Sequence, residues 1–244
     1  MELKEKRIIV TGGSRGIGYA IAEGMIKEGA KVLITGRNEE SLQEAIGRLG
    51  DNARYLVWDA ADIPKIPEKL EKALELLGGI DILVNNAGIL TKQDCDGFFA
   101  ITPKSWDATM DTNLKSVFFM CQAVSKYWVD NKLTGKIINI CSNNAFLSRA
   151  TAYATAKWGV RGLTQGLAKR LAPYNITVNA VAPGCTSTSM LGAEDGEIRK
   201  ADYIPMGRYT LPSEIANMCL FLASDKSKGI VGHILVADGG EILS

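Results

Sequence analysis

The sequence predicts a three-layer α/β fold built on a doubly wound, seven-stranded parallel sheet. Three observations carry that expectation. Seven short runs rich in Ile and Val, at 7–10, 32–35, 55–58, 82–84, 136–140, 177–182 and 234–236, are bounded by Gly, Asn and Asp. Runs of this length and composition read as strands buried on both faces. Between them lie longer segments with helical periodicity, at 17–27, 39–49, 67–77, 104–129, 152–171 and 213–223. Strict alternation of the two implies right-handed crossovers and a parallel sheet. Finally, Gly29, Gly50 and the pair Gly78-Gly79 follow helical segments, where glycine ends a helix without a Cβ penalty.

The first strand ends in the turn Thr11-Gly12-Gly13-Ser14-Arg15-Gly16-Ile17-Gly18. Glycine is needed to bend this turn and to let a pyrophosphate approach the backbone, and the helix opening at Gly16 aims N–H groups and its positive dipole end at the phosphates. Placed between a strand and a helix, the pattern marks a Rossmann-type dinucleotide site. The second strand ends Thr35-Gly36-Arg37-Asn38, with no acidic residue before Glu39. An acid here would accept from a ribose 2′-OH. Arg37, with Arg15 in the glycine turn, suits a 2′-phosphate instead, so the expected cofactor is NADP(H). The alternative is a pair of solvated surface arginines.

Tyr153 and Lys157 stand four apart at the start of a helical pattern, hence on one face. A free tyrosine titrates near pH 10, roughly three units too high for easy proton exchange at neutrality. A neighbouring ammonium favours tyrosinate and would lower that value. Ser142 closes the strand before this helix, and Asn113 lies inside an earlier helical segment, where asparagine is unfavourable by propensity.

Taken in order, TGGSRGIG at 11–18, NNAG at 85–88, TNLKSVF around Asn113, IINI before Ser142, Tyr153 with Lys157, Pro183-Gly184 with Thr188, PSEIANMCLFLASD at 212–225 and the closing Asp238-Gly239-Gly240 resemble the compact, single-domain branch of the short-chain dehydrogenase/reductase family. The resemblance spans essentially the whole chain and implies one NAD(P)-binding catalytic domain over 1–244. It implies Tyr153 as general acid in reduction and base in oxidation, Ser142 on the substrate oxygen, Lys157 on the cofactor ribose, and Asn113 holding a relay water. It also implies cofactor contacts from Gly12, Ser14, Arg15, Gly16, Ile17, Gly18, Arg37, Asp59, Ala60, Asn86, Ala87, Gly88, Tyr153, Lys157, Pro183, Gly184, Thr186 and Thr188. Hydride transfer between a carbonyl and a secondary alcohol follows, with no metal. The spacing from Ser142 to Tyr153 is shorter than is common in the family, and this bears on the shape of the substrate end.

The general resemblance is greatest to 3-oxoacyl-acyl-carrier-protein reductases, with sugar, polyol or steroid dehydrogenases as alternatives. A cofactor-binding sensor without turnover is the reading from another class, disfavoured because a binder needs no proton relay. Asn143 and Asn144 would meet hydroxyls of a sugar or polyol, unless they are turn residues. Phe146, Leu147, Met190, Leu191 and Tyr203 would instead wall an acyl chain or ring. The long loops 89–103 and 184–207 follow strand ends and are candidate substrate loops.

A formal net charge of +1 gives no reason to expect nucleic acid. Five scattered cysteines without CxxC spacing give neither a disulfide framework nor a zinc site. The one histidine, His233, is expected to be partly buried beside the last strand, which makes a Ser-His-Asp hydrolase improbable. No apolar run reaches 18 residues and the start has no room for a signal peptide, so the expected location is cytoplasmic. Segment 104–129 is apolar on more than one face, through Trp106, Met110, Leu114, Val117, Phe118 and Phe119. Burial against a second subunit is therefore expected, as a homotetramer or dimer.

Overall fold

A computed structural model describes residues 1–194 and 196–242. Its seven strands are β1 (Arg7–Thr11), β2 (Lys31–Gly36), β3 (Ala53–Val57), β4 (Ile82–Asn85), β5 (Gly135–Ile140), β6 (Ile176–Pro183) and β7 (Ile234–Ala237). They form one parallel sheet in the order β3-β2-β1-β4-β5-β6-β7. The order reverses between β1 and β4, where Ile8, Ile9 and Val10 pair with Ile82, Leu83 and Val84. At such a reversal the crossovers diverge to opposite faces and leave a crevice at the carboxyl ends of the strands.

Two helical layers enclose the sheet, and strand alternation assigns each side chain to one of them. Helices α1 (Gly16–Lys27) and α2 (Glu39–Leu49) lie on one face. There Ile8 and Val10 of β1 pack with Ile21, Met25, Leu42 and with Ile215 of the last helix. Helix α3 (Ile66–Leu77) lies on the other face, where Ile9 and Leu83 pack with Leu70, Val124, Trp128 and Val160. Each fully buried aliphatic side chain contributes about 1.5–3 kcal/mol, so these two cores dominate stability. Trp128 also donates its indole N–H to the Ile80 carbonyl at 2.7 Å, leaving no unpaired group in that core position.

The remaining helices are α4 (Lys92–Asp96), α5 (Pro103–Met110), α6 (Ser116–Asp130), α7 (Ala152–Leu171) and α8 (Pro212–Ala223). The segment expected as one helix over 104–129 is interrupted. Residues Asp111–Lys115 between α5 and α6 form a π-helical turn. The wider bonding of a π turn lengthens one turn without ending the helix, so the segment reads as a single helical run. Loop 89–103 likewise contains α4 and a short 3-10 turn at Phe98–Ala100. Trp58, expected to end β3, lies one residue beyond it. His233 is exposed rather than partly buried; its backbone N–H donates to the Asn179 side chain at 2.9 Å and its carbonyl accepts the Ala180 N–H at 2.9 Å.

A buried polar ladder ties the sheet to α7. Asn85 Nδ2 donates to Asn139 Oδ1 across the β4–β5 register at 2.9 Å, and Asn139 Nδ2 donates to Thr164 Oγ on α7 at 3.0 Å. Satisfied networks of this kind fix one orientation of the elements they join.

Candidate active site

The carboxyl ends of β1, β4, β5 and β6 open into one cleft of about 680 Å³. All the residues the sequence singled out for cofactor and catalysis line it, from Gly12 in the first turn to Thr188 beyond β6. That includes Asn113 from the π turn, Ser142 from the end of β5, and Tyr153 with Lys157 from α7.

At the reversal point, Thr11 Oγ accepts the backbone N–H groups of Asn86 and Ala87 at 3.0 Å each. Asn86 Nδ2 returns bonds to the carbonyls of Thr11 and Gly12 at 2.9 and 3.0 Å. The glycine turn is thereby clamped to the end of β4. Gly12 sits at φ 65°, and a Cβ there would lie 2.9 Å from Ala87 Cα. A Cβ on Gly18 would overlap the Gly12 carbonyl oxygen and the Asn86 amide. Helix α1 opens on this turn with no side-chain cap from Arg15 and no acidic residue in its first turn. Such an N-terminus, opening on a cleft through a glycine turn, fits the diphosphate of a dinucleotide.

At the end of β2, Arg37 and Arg15 are both exposed and both line the cleft. Glu39 does not line it; its carboxylate accepts the Tyr55 hydroxyl at 3.1 Å. Trp58, Asp59 and Ala60 complete this end. The Trp58 indole N–H is buried and has no hydrogen-bond partner among the described residues.

Asn113 is fully buried in the π turn. Its Nδ2 donates to the carbonyls of Ile89 and Thr109, both at 3.0 Å, and its Oδ1 accepts the Ile89 N–H at 3.1 Å. Both amide hydrogens are spent on backbone. The side chain pins the loop after β4 to the π turn rather than offering a donor to the cleft.

Ser142 is the N-cap of a short 3-10 turn at Asn143–Ala145. Its Oγ accepts the backbone N–H and the Nδ2 of Asn144, each at 3.2 Å. With both acceptor positions used, the serine proton is left to be donated within the cleft, on the side of the Tyr153 phenol. Tyr153 occupies the first turn of α7, whose N-cap Thr151 accepts the Ala154 N–H at 3.0 Å. Burial pushes the Tyr153 phenol up to about 12, and the Ser142 hydrogen bond pulls the other way. This differs from the sequence expectation of a lowered value. The reason is the burial of Tyr153 itself; Lys157 is buried as well, its Nζ donates to the Ile140 carbonyl at 2.9 Å, and burial drives its own pKa down. The ammonium stands 5.5 Å from the Tyr153 ring centroid.

At the substrate end, Asn143, Asn144, Met190 and Leu191 line the cleft; Phe146, Leu147 and Tyr203 do not. Phe146 packs against the core and under Arg161 instead. The wall also contains Asp94, Arg149 and Glu241, which the sequence reading missed. Glu241 accepts Asn143 Nδ2 at 2.9 Å and lies 3.7 Å from the Arg149 guanidinium. Only chain folding brings residues so far apart in sequence together, and no local pattern announces them.

A family model described as short chain dehydrogenase matches residues 6–198. The chain belongs to that family and is an oxidoreductase of it. It is 39% identical to the 3-oxoacyl-acyl-carrier-protein reductase of Vibrio cholerae, over 98% of both proteins. It is 37% identical to the 2-dehydro-3-deoxy-D-gluconate 5-dehydrogenase of Escherichia coli, over 98% of this chain and 96% of that protein. The 3-ketoacyl-(acyl-carrier-protein) reductase of Brucella melitensis, solved in complex with NADH, superposes with a TM-score of 0.91 at 31% identity, covering 99% of this chain and 100% of that one. Among the described residues no helix is long and apolar enough to cross a membrane, and no group of His, Cys, Asp or Glu is arranged to hold a metal ion.

Proposed function

We propose that this chain, as a single catalytic domain, interconverts a carbonyl and a secondary alcohol with NADP(H). The observation that carries the reading is the meeting, in one cleft with the glycine turn, of Ser142, the Tyr153 phenol and the buried Lys157 ammonium. The glycine turn and Lys157 would hold a nicotinamide dinucleotide, which would supply or accept the hydride when bound. Tyr153 donates its proton to the carbonyl oxygen in reduction and takes it back in oxidation. Ser142 donates a second hydrogen bond to that oxygen, its own acceptor positions being held by Asn144. Lys157 holds the ribose and stabilises tyrosinate as charge develops. Asn113 keeps the π turn in place, both of its amide hydrogens being committed to the Ile89 and Thr109 carbonyls.

Arg15 and Arg37 favour the 2′-phosphate, supported by Glu39 being turned to Tyr55 and away from the cleft. Two substrate classes stand. A 3-oxoacyl thioester is supported by the resemblance to acyl-carrier-protein reductases. A hydroxyl-bearing sugar acid or polyol is supported by the relatives acting on deoxygluconate and gluconate and by the polar wall of Asn143, Asn144 and Arg149. We favour the second, because three of the five residues suited to an acyl wall lie away from the cleft.

The apolar groove of Met110, Leu114, Phe118, Phe119 and Leu163, together with the exposure of Trp106 and Phe118, supports a homo-oligomer. Sedimentation showing only monomer at micromolar concentration removes that part of the proposal.

The test follows NADPH absorbance on adding acetoacetyl-CoA, a keto sugar acid or a neutral ketose, with Tyr153→Phe as control. Turnover of the keto sugar acid above the thioester is expected; turnover of the thioester alone overturns the substrate assignment.

A further inference from the structure

Asp94 takes no part in the chemistry proposed above, yet it is buried against the cleft at the centre of a converging set of donors. Its Oδ1 accepts the backbone N–H of Tyr153 at 2.9 Å. Its Oδ2 accepts the Thr91 hydroxyl at 2.6 Å and the Thr109 hydroxyl at 3.1 Å, with the Thr91 N–H at 3.3 Å. One carboxylate thus joins the loop after β4, helix α5 and the start of α7. The Tyr153 amide is one of the first-turn donors of α7 that the helix itself cannot satisfy. Thr151 caps Ala154 from within the chain, and Asp94 caps Tyr153 from 59 residues away. A negative charge is also favoured there by the helix dipole.

The second arm reaches Asn113. Thr109 is fully buried, and its carbonyl accepts Asn113 Nδ2 while its hydroxyl bonds Asp94. Asp94, Thr109, Asn113 and Ile89 therefore form one connected set, with Tyr153 attached through its own backbone. Resting on the reading of Tyr153 as the proton donor, we propose that Asp94 is a positioning residue that fixes the Tyr153 phenol relative to the π turn at Asn113.

The carboxylate acts through geometry and through charge. Geometrically, it holds the backbone from which the phenol is suspended. A displacement of about 1 Å at a reacting group can cost on the order of 100-fold in rate. Electrostatically, Asp94 faces Tyr153 together with Ser142, Cys141 and Cys185, and its negative charge opposes tyrosinate. Lys157 is the cation nearest the phenol ring. Asp94→Asn keeps an acceptor for the Tyr153 N–H, and the threonine hydroxyls can turn to accept from the new amide. Asp94→Ala removes every bond.

The experiment compares native protein, Asp94→Asn and Asp94→Ala on the best-turned-over member of the carbonyl panel, with NADPH affinity measured separately. Amide hydrogen exchange at the start of α7 reads the contact without activity. Expected for Asp94→Ala are kcat lower by about 10–100-fold, NADPH affinity within about twofold, and faster exchange at Tyr153. Asp94→Asn is expected to restore most of kcat while moving the tyrosine limb of the pH profile to lower pH. Unchanged kcat and pH limb in both variants, with only thermal stability reduced, would overturn the proposal and leave Asp94 a scaffold residue. Full activity in Tyr153→Phe would instead overturn the functional reading beneath it.

Discussion

Lys157 Nζ lies 5.5 Å from the Tyr153 ring centroid and is bonded to the Ile140 carbonyl at 2.9 Å. The last residue of β5 therefore sets how closely the ammonium approaches the phenol. Removing the ammonium leaves a buried carbonyl without its donor and the tyrosine without its nearest cation. Lys157→Met is expected to lower kcat by on the order of 10²–10³, within the range general acid–base groups supply. It should also weaken NADPH binding, since the same ammonium is proposed to hold the ribose. Paired kinetics and cofactor titration check both effects.

The pH dependence follows from the raised Tyr153 value of about 12. Reduction needs the protonated phenol, so it persists at neutral pH and declines as pH rises through the pKa. Oxidation needs tyrosinate and climbs with pH. Ser142 pulls the value down, so Ser142→Ala should shift the oxidative limb to higher pH besides slowing the reaction. Profiles of log kcat/KM in both directions measure the shift.

Cofactor choice is tested at Arg37. A charge-assisted hydrogen bond contributes about 1.5–3 kcal/mol, or roughly 10–100-fold. Arg37→Asp should lower the NADPH/NADH ratio of kcat/KM by that factor. An unchanged ratio would show the guanidinium to be a solvated surface group.

Much of the fold was legible because buried parallel strands need β-branched runs and helices need their own period. The same logic explains what was not. The π turn at Asp111–Lys115 continues the helix on both sides, so the segment 104–129 reads as one helix. The glycine turn and the Tyr153–Lys157 pair are local motifs and could be read directly. The bonds from Asp94 to Tyr153 and from Asn143 to Glu241 span 59 and 98 residues. Neither has a local signature. Lys157 as an ammonium near Tyr153 was legible, whereas the burial that raises the Tyr153 value depends on packing that composition does not report.

Stability has its own site at the opposite end of the sheet. The Arg7 guanidinium donates to both oxygens of Asp81 at 2.8 and 2.9 Å, and the Arg7 N–H adds a third bond at 2.8 Å. Burial pushes the Asp81 carboxyl up, but these bonds outweigh it and hold it below the usual range. Its folded pKa is depressed, so the stabilisation is present above the unfolded value of roughly 3.9 and lost as pH falls through the folded one. Asp81→Asn should lower Tm at pH 7, lose less further Tm on acidification than the native chain, and leave kcat unchanged.

The most direct measurement is NADPH oxidation by native protein and Tyr153→Phe on the carbonyl panel, with cofactor affinity determined for both. Expected are turnover by the native chain, a kcat lower by about 10²–10⁴ in the variant, and nearly equal NADPH binding. A variant that retains full turnover, or a native chain that binds NADPH and reduces no carbonyl, would contradict the proposed function.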